Sequence, residues 1–327
     1  MKKAKNFRAL AWLGAALPLL GVSVALAQET TAPVQAPIDG NAPAAPATPA
    51  TPDAPANTQT PIQNAPARLA AQYSDAEVRA LGQGPAFPYS LLESALSRAV
   101  DERNAVNYNK LQLDEDLKLF VRAVSLADMN QFPVFKIRNE DGQTRDDRNS
   151  ELTFWINAYN GLFLDALAKG YPVKAVSQVK DLQTAKRNVG GKTYTFPEMR
   201  TKIAQLDARA LFALTDGTIY GPRVGKNVFR YFGLGAQLNA AVRNFVVDPI
   251  RVPVPDRLGK VVNVSPFLQG VDEHFKKGAT RRKWSGVQNV LSAYAPNSAL
   301  RNYYGAGDFE IRFFPPNDAI NDPVNML

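Results

Sequence analysis

Apolar residues recur three and four positions apart in six stretches of the chain, a spacing that predicts amphipathic helices. In the first stretch Leu92, Ala95, Leu96 and Ala99 share one face, and residues 90–93 fit a capping box at its start. The same spacing predicts further helices near residues 114–127, 151–170, 235–247, 266–275 and 285–295.

Shorter runs predict β-structure between these helices. Residues 189–196 predict a hairpin around a Gly-Gly turn, and residues 251–264 predict a second one. Residues 211–214 fit a short buried strand or an apolar turn, and residues 309–314 a final strand. The mixture predicts an α+β fold: a single helix-rich domain over residues 68–327, with short β-hairpins and a small sheet.

Residues 1–27 have the three parts of a secretory signal. Four basic residues precede residue 9, an apolar run extends to about Val24, and Ala25-Leu26-Ala27 gives a small-x-small cleavage site. The alternative is an uncleaved anchor, but the run is shorter than the about 20 residues that a spanning helix needs. No Cys follows for lipid attachment. We therefore predict export to the periplasm, the cell envelope or the exterior, with no transmembrane span after cleavage.

Residues 28–67 consist largely of Ala, Pro, Thr, Gln and Asn. Frequent prolines oppose helix and sheet, and few large apolar residues are present to bury a core. The composition predicts a disordered tether that spaces the domain from a surface or crosses a wall layer. A passive leader without such a role is the alternative.

The composition narrows the chemistry that is open to the predicted domain. It has no Cys, so disulfides and thiol nucleophiles are excluded, and the single His makes a zinc site improbable. Of 38 basic and 30 acidic residues, four and three precede residue 68, which leaves 34 and 27 in the domain. This basic excess suits acidic envelope polymers or lipid headgroups but is too small to predict nucleic-acid binding. No motif predicts a cofactor.

The heptapeptide Phe154-Trp-Ile-Asn-Ala-Tyr-Asn160 resembles the hallmark of the family of domains of unknown function numbered 547. Six other segments are similar to the family in order and spacing; they lie at 106–121, 171–176, 190–199, 234–249, 264–275 and 311–322. The resemblance covers roughly residues 88–322. It implies a single α+β domain, often exported in bacteria, with no settled activity.

The chain departs from the family pattern at the positions that could carry chemistry. Where the family has a Glu-His pair, Arg200 and Thr201 stand, and Leu211 replaces a His. Asp216 and Gly221 replace two Cys residues. In the segment at 264–275, an aromatic residue and an acid are replaced by Gly270 and His274.

Catalytic candidates are few. A Cys/His mechanism needs a thiolate and is impossible here. His274 is the only imidazole, and Asp272, two residues away on a helix, would face another side, so a surface His is the better interpretation. Asp216 could work with a second carboxylate as an acid/base pair. Its alternative is a turn, because Asp-Gly favours turns.

Two other groups of residues are candidates for binding. Asn157, Tyr159, Asn160 and Thr215 could contact a ligand, although buried amides usually bond to backbone across a packed interface. The densest basic cluster could bind lipid phosphate or acidic glycan, or could be a solvated loop. Its members are Lys276, Lys277, Arg281, Arg282, Lys283 and Trp284.

These observations favour an exported envelope module that kept a family fold, lost its reactive residues and binds or scaffolds an acidic component. The alternative is a carboxylate-dependent hydrolase or transferase that acts on an envelope substrate. A polar cleft holding Asn157, Asp216 and another acid would favour the enzyme, and a filled cleft would favour the module.

Overall fold

The computed structural model describes residues 68–138, 142, 144–276 and 286–325. The predicted signal, the predicted tether and the basic cluster beyond Lys276 lie outside the described residues. The part described is rich in helices, carries small two-stranded sheets and packs around one hydrophobic core, as the α+β prediction requires. None of the helices described is both long and apolar enough to cross a bilayer.

Ten α-helices are the main elements of the described chain. They are α1 Asp75–Ala80, α2 Tyr89–Ala99, α3 Tyr108–Leu113, α4 Glu115–Ser125, α5 Asn149–Gly170, α6 Phe196–Leu206, α7 Leu234–Val247, α8 Phe267–Phe275, α9 Gly286–Ala293 and α10 Ser298–Ala306. The six predicted helices correspond to α2, α4, α5, α7, α8 and α9, because each buries the apolar face that its spacing indicates.

The start of α2 differs from the sequence prediction. Pro88 is the N-cap residue and Ser90 lies inside the helix, so no capping box forms there. A true capping box stands instead at α6, where Thr195 accepts from the backbone N–H of Glu198 and the Glu198 carboxylate accepts from the N–H of Thr195. Proline can fix the entry to a helix without a side-chain cap, which explains why the polar pattern at 90–93 misled.

The strands form three pairs. β1 Phe135–Arg138 with β2 Thr144–Asp147, and β3 Arg187–Val189 with β4 Lys192–Tyr194, are antiparallel hairpins. β5 Val261–Val264 and β6 Glu310–Phe313 are parallel. The hairpin predicted at 251–264 is therefore wrong: only one bridge, Asp256 to Val261, joins its arms. The apolar run of β5 finds its partner across α8, α9 and α10, the long connection that parallel pairing requires.

α5 is the central helix and is buried on nearly every side. It contacts α3, α4 and α6 directly. Such a helix has no solvated face for its polar side chains, so Asn157 and Asn160, both nearly inaccessible to solvent, must find partners inside the protein.

Both asparagines bond to a single segment, residues 213–229. The Asn160 amide donates to Ala213 O (2.9 Å) and accepts from Thr215 N (3.0 Å). The Asn157 amide donates to Phe229 O (2.8 Å) and accepts from Phe229 N (3.0 Å). The segment begins in a 3-10 helix, Ala208–Ala213, where the sequence predicted a strand or an apolar turn. One turn of α5 thus fixes both ends of this segment.

We expect Asn160→Leu to destabilise the protein by about 2–5 kcal/mol, because it leaves a buried carbonyl and a buried N–H without partners. Chemical denaturation of the full chain measures the free energy of unfolding. Asn244→Leu, an exposed amide on α7, is the matched control and should change stability by less than about 0.5 kcal/mol. Equal losses in the two variants would show that the amide bonds of Asn160 contribute nothing.

Candidate functional site

Asp216 lies near the start of the 213–229 segment and is partly buried. Its Oδ1 accepts from the N–H and the hydroxyl of Thr218, both at 2.9 Å. Burial raises the pKa of Asp216, and the Thr218 bonds and the charges of Arg200 and Arg251 offset part of that rise. The carboxylate therefore closes a turn of this segment.

Asp216 and Gly221 are in direct contact. A Cβ atom built on Gly221 would lie 1.8 Å from Asp216 Oδ1, so the carboxylate fills the space that any side chain at 221 would need. The two positions at which the family resemblance implies Cys thus face each other here. Asp216 has a larger side chain than Cys and Gly221 has none, so the two residues fit together in this space.

Arg251 holds the same segment from the other side. It is almost fully buried, and its guanidinium donates to Gly221 O (2.7 Å) and pairs with the Asp248 carboxylate. Burial lowers the pKa of Arg251 to about 10, and the neighbouring Arg223 contributes to the decrease. The Arg251 guanidinium thus has its partners within the protein, one carbonyl and one carboxylate.

Arg223 is placed differently from Arg251. Its Nη1 donates to Arg103 O (3.2 Å) and lies 3.8 Å from Asp248 Oδ2, a carboxylate already paired with Arg251. Its Nε and Nη2 atoms are buried and have no hydrogen-bond partner among the described residues. Burial lowers the pKa of Arg223, while the charges of Asp248 and Asp101 act in the opposite direction. Two buried donors without acceptors make Arg223 the least satisfied charged group at this site.

A cavity of about 800 Å³ lies between the 222–229 loop, α7 and the residues just after α2. Its apolar wall includes Phe212, Phe229 and Phe245. Its ionised lining groups are Asp101, Glu102, Arg223, Lys226, Asp248 and Arg251. The size is that of pockets for small organic ligands, and the wall is part apolar and part charged.

The candidate residues from the sequence do not line this cavity. Asn157 and Asn160 are buried, Asp216 is partly buried, and none of the three is part of the lining. Thr215 is bonded to Asn160 and, through its hydroxyl, accepts from Gly217 N (3.1 Å). Tyr159 is buried with its ring stacked on Phe163 at 5.5 Å between centroids. Burial raises the pKa of Tyr159, and the nearby Arg200 partly opposes that rise.

His274 and Lys276 lie elsewhere, at the end of α8, and both are exposed. Asp272 does not pair with His274: its carboxylate meets Lys276 Nζ at 2.9 Å and accepts from Val287 N at 2.8 Å. Lys276 is also paired with Glu273. Within the described ranges, no cluster of three or more His, Asp or Glu side chains is placed to hold a metal ion.

Sequence reasoning missed Arg223, Asp248 and Arg251. The signal that could have found two of them is the spacing of Asp248 and Arg251, three residues apart just after a predicted helix, which favours an ion pair. Arg223 has no such local signal, because its neighbours come from α7 and from the residues after α2.

Comparisons with known proteins give one family. No curated protein matches the chain, and no solved structure matches it. Residues 144–246 match the profile of a family described as "Protein of unknown function, DUF547". The match spans α5, α6, α7 and the 213–229 segment between them, and it is narrower than the resemblance at 88–322. The part of the chain that builds the central helix and much of the cavity wall is therefore similar to the DUF547 family.

Proposed function

We propose that this chain is a non-catalytic binding module of the cell envelope, which takes an acidic group of an envelope component into the cavity beside α7. One observation carries the proposal. Arg223 lines the cavity and carries two buried donors without an acceptor among the described residues, whereas Asn157, Asn160 and Asp216 are bonded within the protein.

The competing hypothesis, a carboxylate-dependent hydrolase or transferase, needs an acid that reaches a substrate. Asp216 is partly buried, is bonded to Thr218 and is not part of the cavity lining. The Asn157 amide is bonded to the backbone of Phe229. The cavity beside α7 is therefore not the polar cleft of Asn157, Asp216 and another acid that the enzyme hypothesis requires.

The envelope location rests on the amino-terminal pattern of basic residues, apolar run and cleavage site. The proline-rich tether would then hold the domain at a distance from a surface. The basic cluster from Lys276 to Trp284 stays in the proposal as a second contact for acidic polymer or lipid headgroups, on the ground of its charge density in the sequence.

The cavity can be tested by filling it. Ala240 is exposed on α7 and lines the cavity, so Ala240→Trp places an indole in the space without disturbing the core. We expect this variant to weaken co-sedimentation of the purified full chain with isolated cell-envelope fragments by about tenfold or more. The measurement is the fraction bound as a function of fragment concentration.

Ala236→Trp is the matched control for this experiment. Ala236 is exposed on the same helix one turn earlier and lies outside the cavity lining, so binding should stay within about twofold of the unchanged chain. Binding that survives Ala240→Trp would remove the cavity from the proposed function. A loss of binding with Asp216→Asn, in a protein that unfolds normally, would instead support the enzyme hypothesis.

Asp216→Asn also tests the electrostatics of the segment. The Asn oxygen keeps both bonds from Thr218, and the buried charge is removed. Because the pKa of Asp216 is raised on folding, its contribution to stability is fully present below its ordinary value of 3.8 and is lost as pH rises through the folded pKa. The stability of Asp216→Asn relative to the unchanged chain should therefore increase with pH above about 4.

Thermal unfolding of the two proteins between about pH 4 and pH 8 measures this difference. At pH 7 the Asn variant should be at least as stable as the unchanged chain. The opposite slope, with the unchanged chain gaining stability as pH rises, would mean that Arg200 and Arg251 more than compensate the buried carboxylate.

A further inference from the structure

The unused edge of Arg223 has a defined chemistry. Nε and Nη2 are the two donors along one edge of the planar guanidinium group, and neither has an acceptor among the described residues. Two parallel N–H groups in one plane match the two oxygens of a carboxylate, the bidentate arrangement in which arginine binds most strongly. A carbonyl oxygen would leave one of the two donors unused.

The charges around the cavity disfavour more than one negative charge in the ligand. The six ionised lining groups comprise three acids and three bases, so their formal charges sum to zero. Lys226 is already paired with Glu102, Arg251 is paired with Asp248, and Asp101 accepts from the backbone N–H groups of Arg103 and Ala105. A phosphate dianion is therefore repelled more strongly by the lining carboxylates than a monoanion is.

The rest of the wall suits an organic group attached to that anion. Phe212 packs edge-on against Phe245 at 5.2 Å between centroids, and both line the cavity with Phe229. Apolar lining of this kind binds a hydrocarbon chain or ring and gives nothing to a free inorganic ion.

We propose that the cavity receives an organic carboxylate, with its two oxygens on the Nε and Nη2 edge of Arg223 and its apolar part against the phenylalanines. This assignment rests on the proposed binding function and specifies its ligand. Because Nε and Nη2 are covered from solvent in this structure, binding includes a shift of the Arg223 side chain that uncovers this edge. The long Nη1 bond to Arg103 O is the contact that such a shift would release.

The test uses four probes on the purified full chain: hexanoate, hexanamide, hexyl phosphate and inorganic phosphate. The first three share one alkyl chain and differ in the head group. Calorimetric or NMR titration should show hexanoate binding at least about tenfold more tightly than hexanamide, because only the carboxylate forms charge-assisted bonds with both donors. Hexyl phosphate and inorganic phosphate should bind more weakly than hexanoate.

Two variants of Arg223 and one control at a second arginine test the residue. Arg223→Met should weaken hexanoate binding by roughly tenfold or more, and Arg223→Lys should recover only part of it, because an ammonium lacks the planar fork. Arg230→Met removes an equal charge from an exposed side chain outside the cavity lining, where Arg230 is paired with Glu93, and should change binding by no more than about twofold. Thermal unfolding of each variant establishes that the fold is intact.

The outcomes separate the ligand from the function. Equal binding of hexanoate and hexanamide, equal losses in Arg223→Met and Arg230→Met, or preference for phosphate would each overturn the carboxylate assignment. Envelope fragments that still bind in a manner sensitive to Ala240→Trp would then leave the binding function standing. If neither the probes nor the fragments bind, both proposals fail.

Discussion

The structure depends on two amides in one turn of a buried helix. Asn157 and Asn160 each offer one donor and one acceptor, and each meets a backbone acceptor and a backbone donor of the 213–229 segment. A buried segment without regular strand or helix geometry cannot form all of its hydrogen bonds within its own backbone, so side chains must supply donors and acceptors for the rest. No apolar residue could replace either amide without leaving two buried polar groups unpaired.

The buried charges follow from that arrangement. Once the amides fix both ends of the segment, its middle turns inward and brings Asp216 against Gly221 and Gly221 O against Arg251. Removing either charge from water costs free energy, and neighbouring groups offset that cost. Asp216 is stabilised by Thr218 and nearby arginines, and Arg251 by a carbonyl and Asp248. Arg223 shares the carboxylate of Asp248 with Arg251, which is the closer of the two arginines. The donors of Arg223 are thus left unused because Asp248 is already paired with Arg251.

The sequence predicted the elements that depend on local patterns of apolar and turn residues. The helices with strong apolar periodicity and the Gly190–Gly191 hairpin were correct, because spacing and turn residues are sufficient to specify them. The preference for backbone partners at Asn157 and Asn160 followed from the cost of burying an amide. The pairing of β5 with β6 was missed because a parallel pair depends on a partner nearly 50 residues away. The cavity was missed for the same reason: Arg223, α7 and the residues after α2 meet only in three dimensions.

The same geometry explains how a chain could lose reactive residues and keep a cavity. Leu211 and Gly221, where the resemblance implies a His and a Cys, are buried, and Asp216, where it implies the other Cys, is partly buried. Thr201 bonds to the carbonyl of Pro197 in its own helix. None of these positions lines the cavity beside α7. Substitution there changes how the segment is packed, while the two amides continue to set where its ends lie. The wall that carries Arg223 is therefore held in place by residues other than those at which the chain departs from the pattern that the resemblance implies, and the proposed binding does not depend on them.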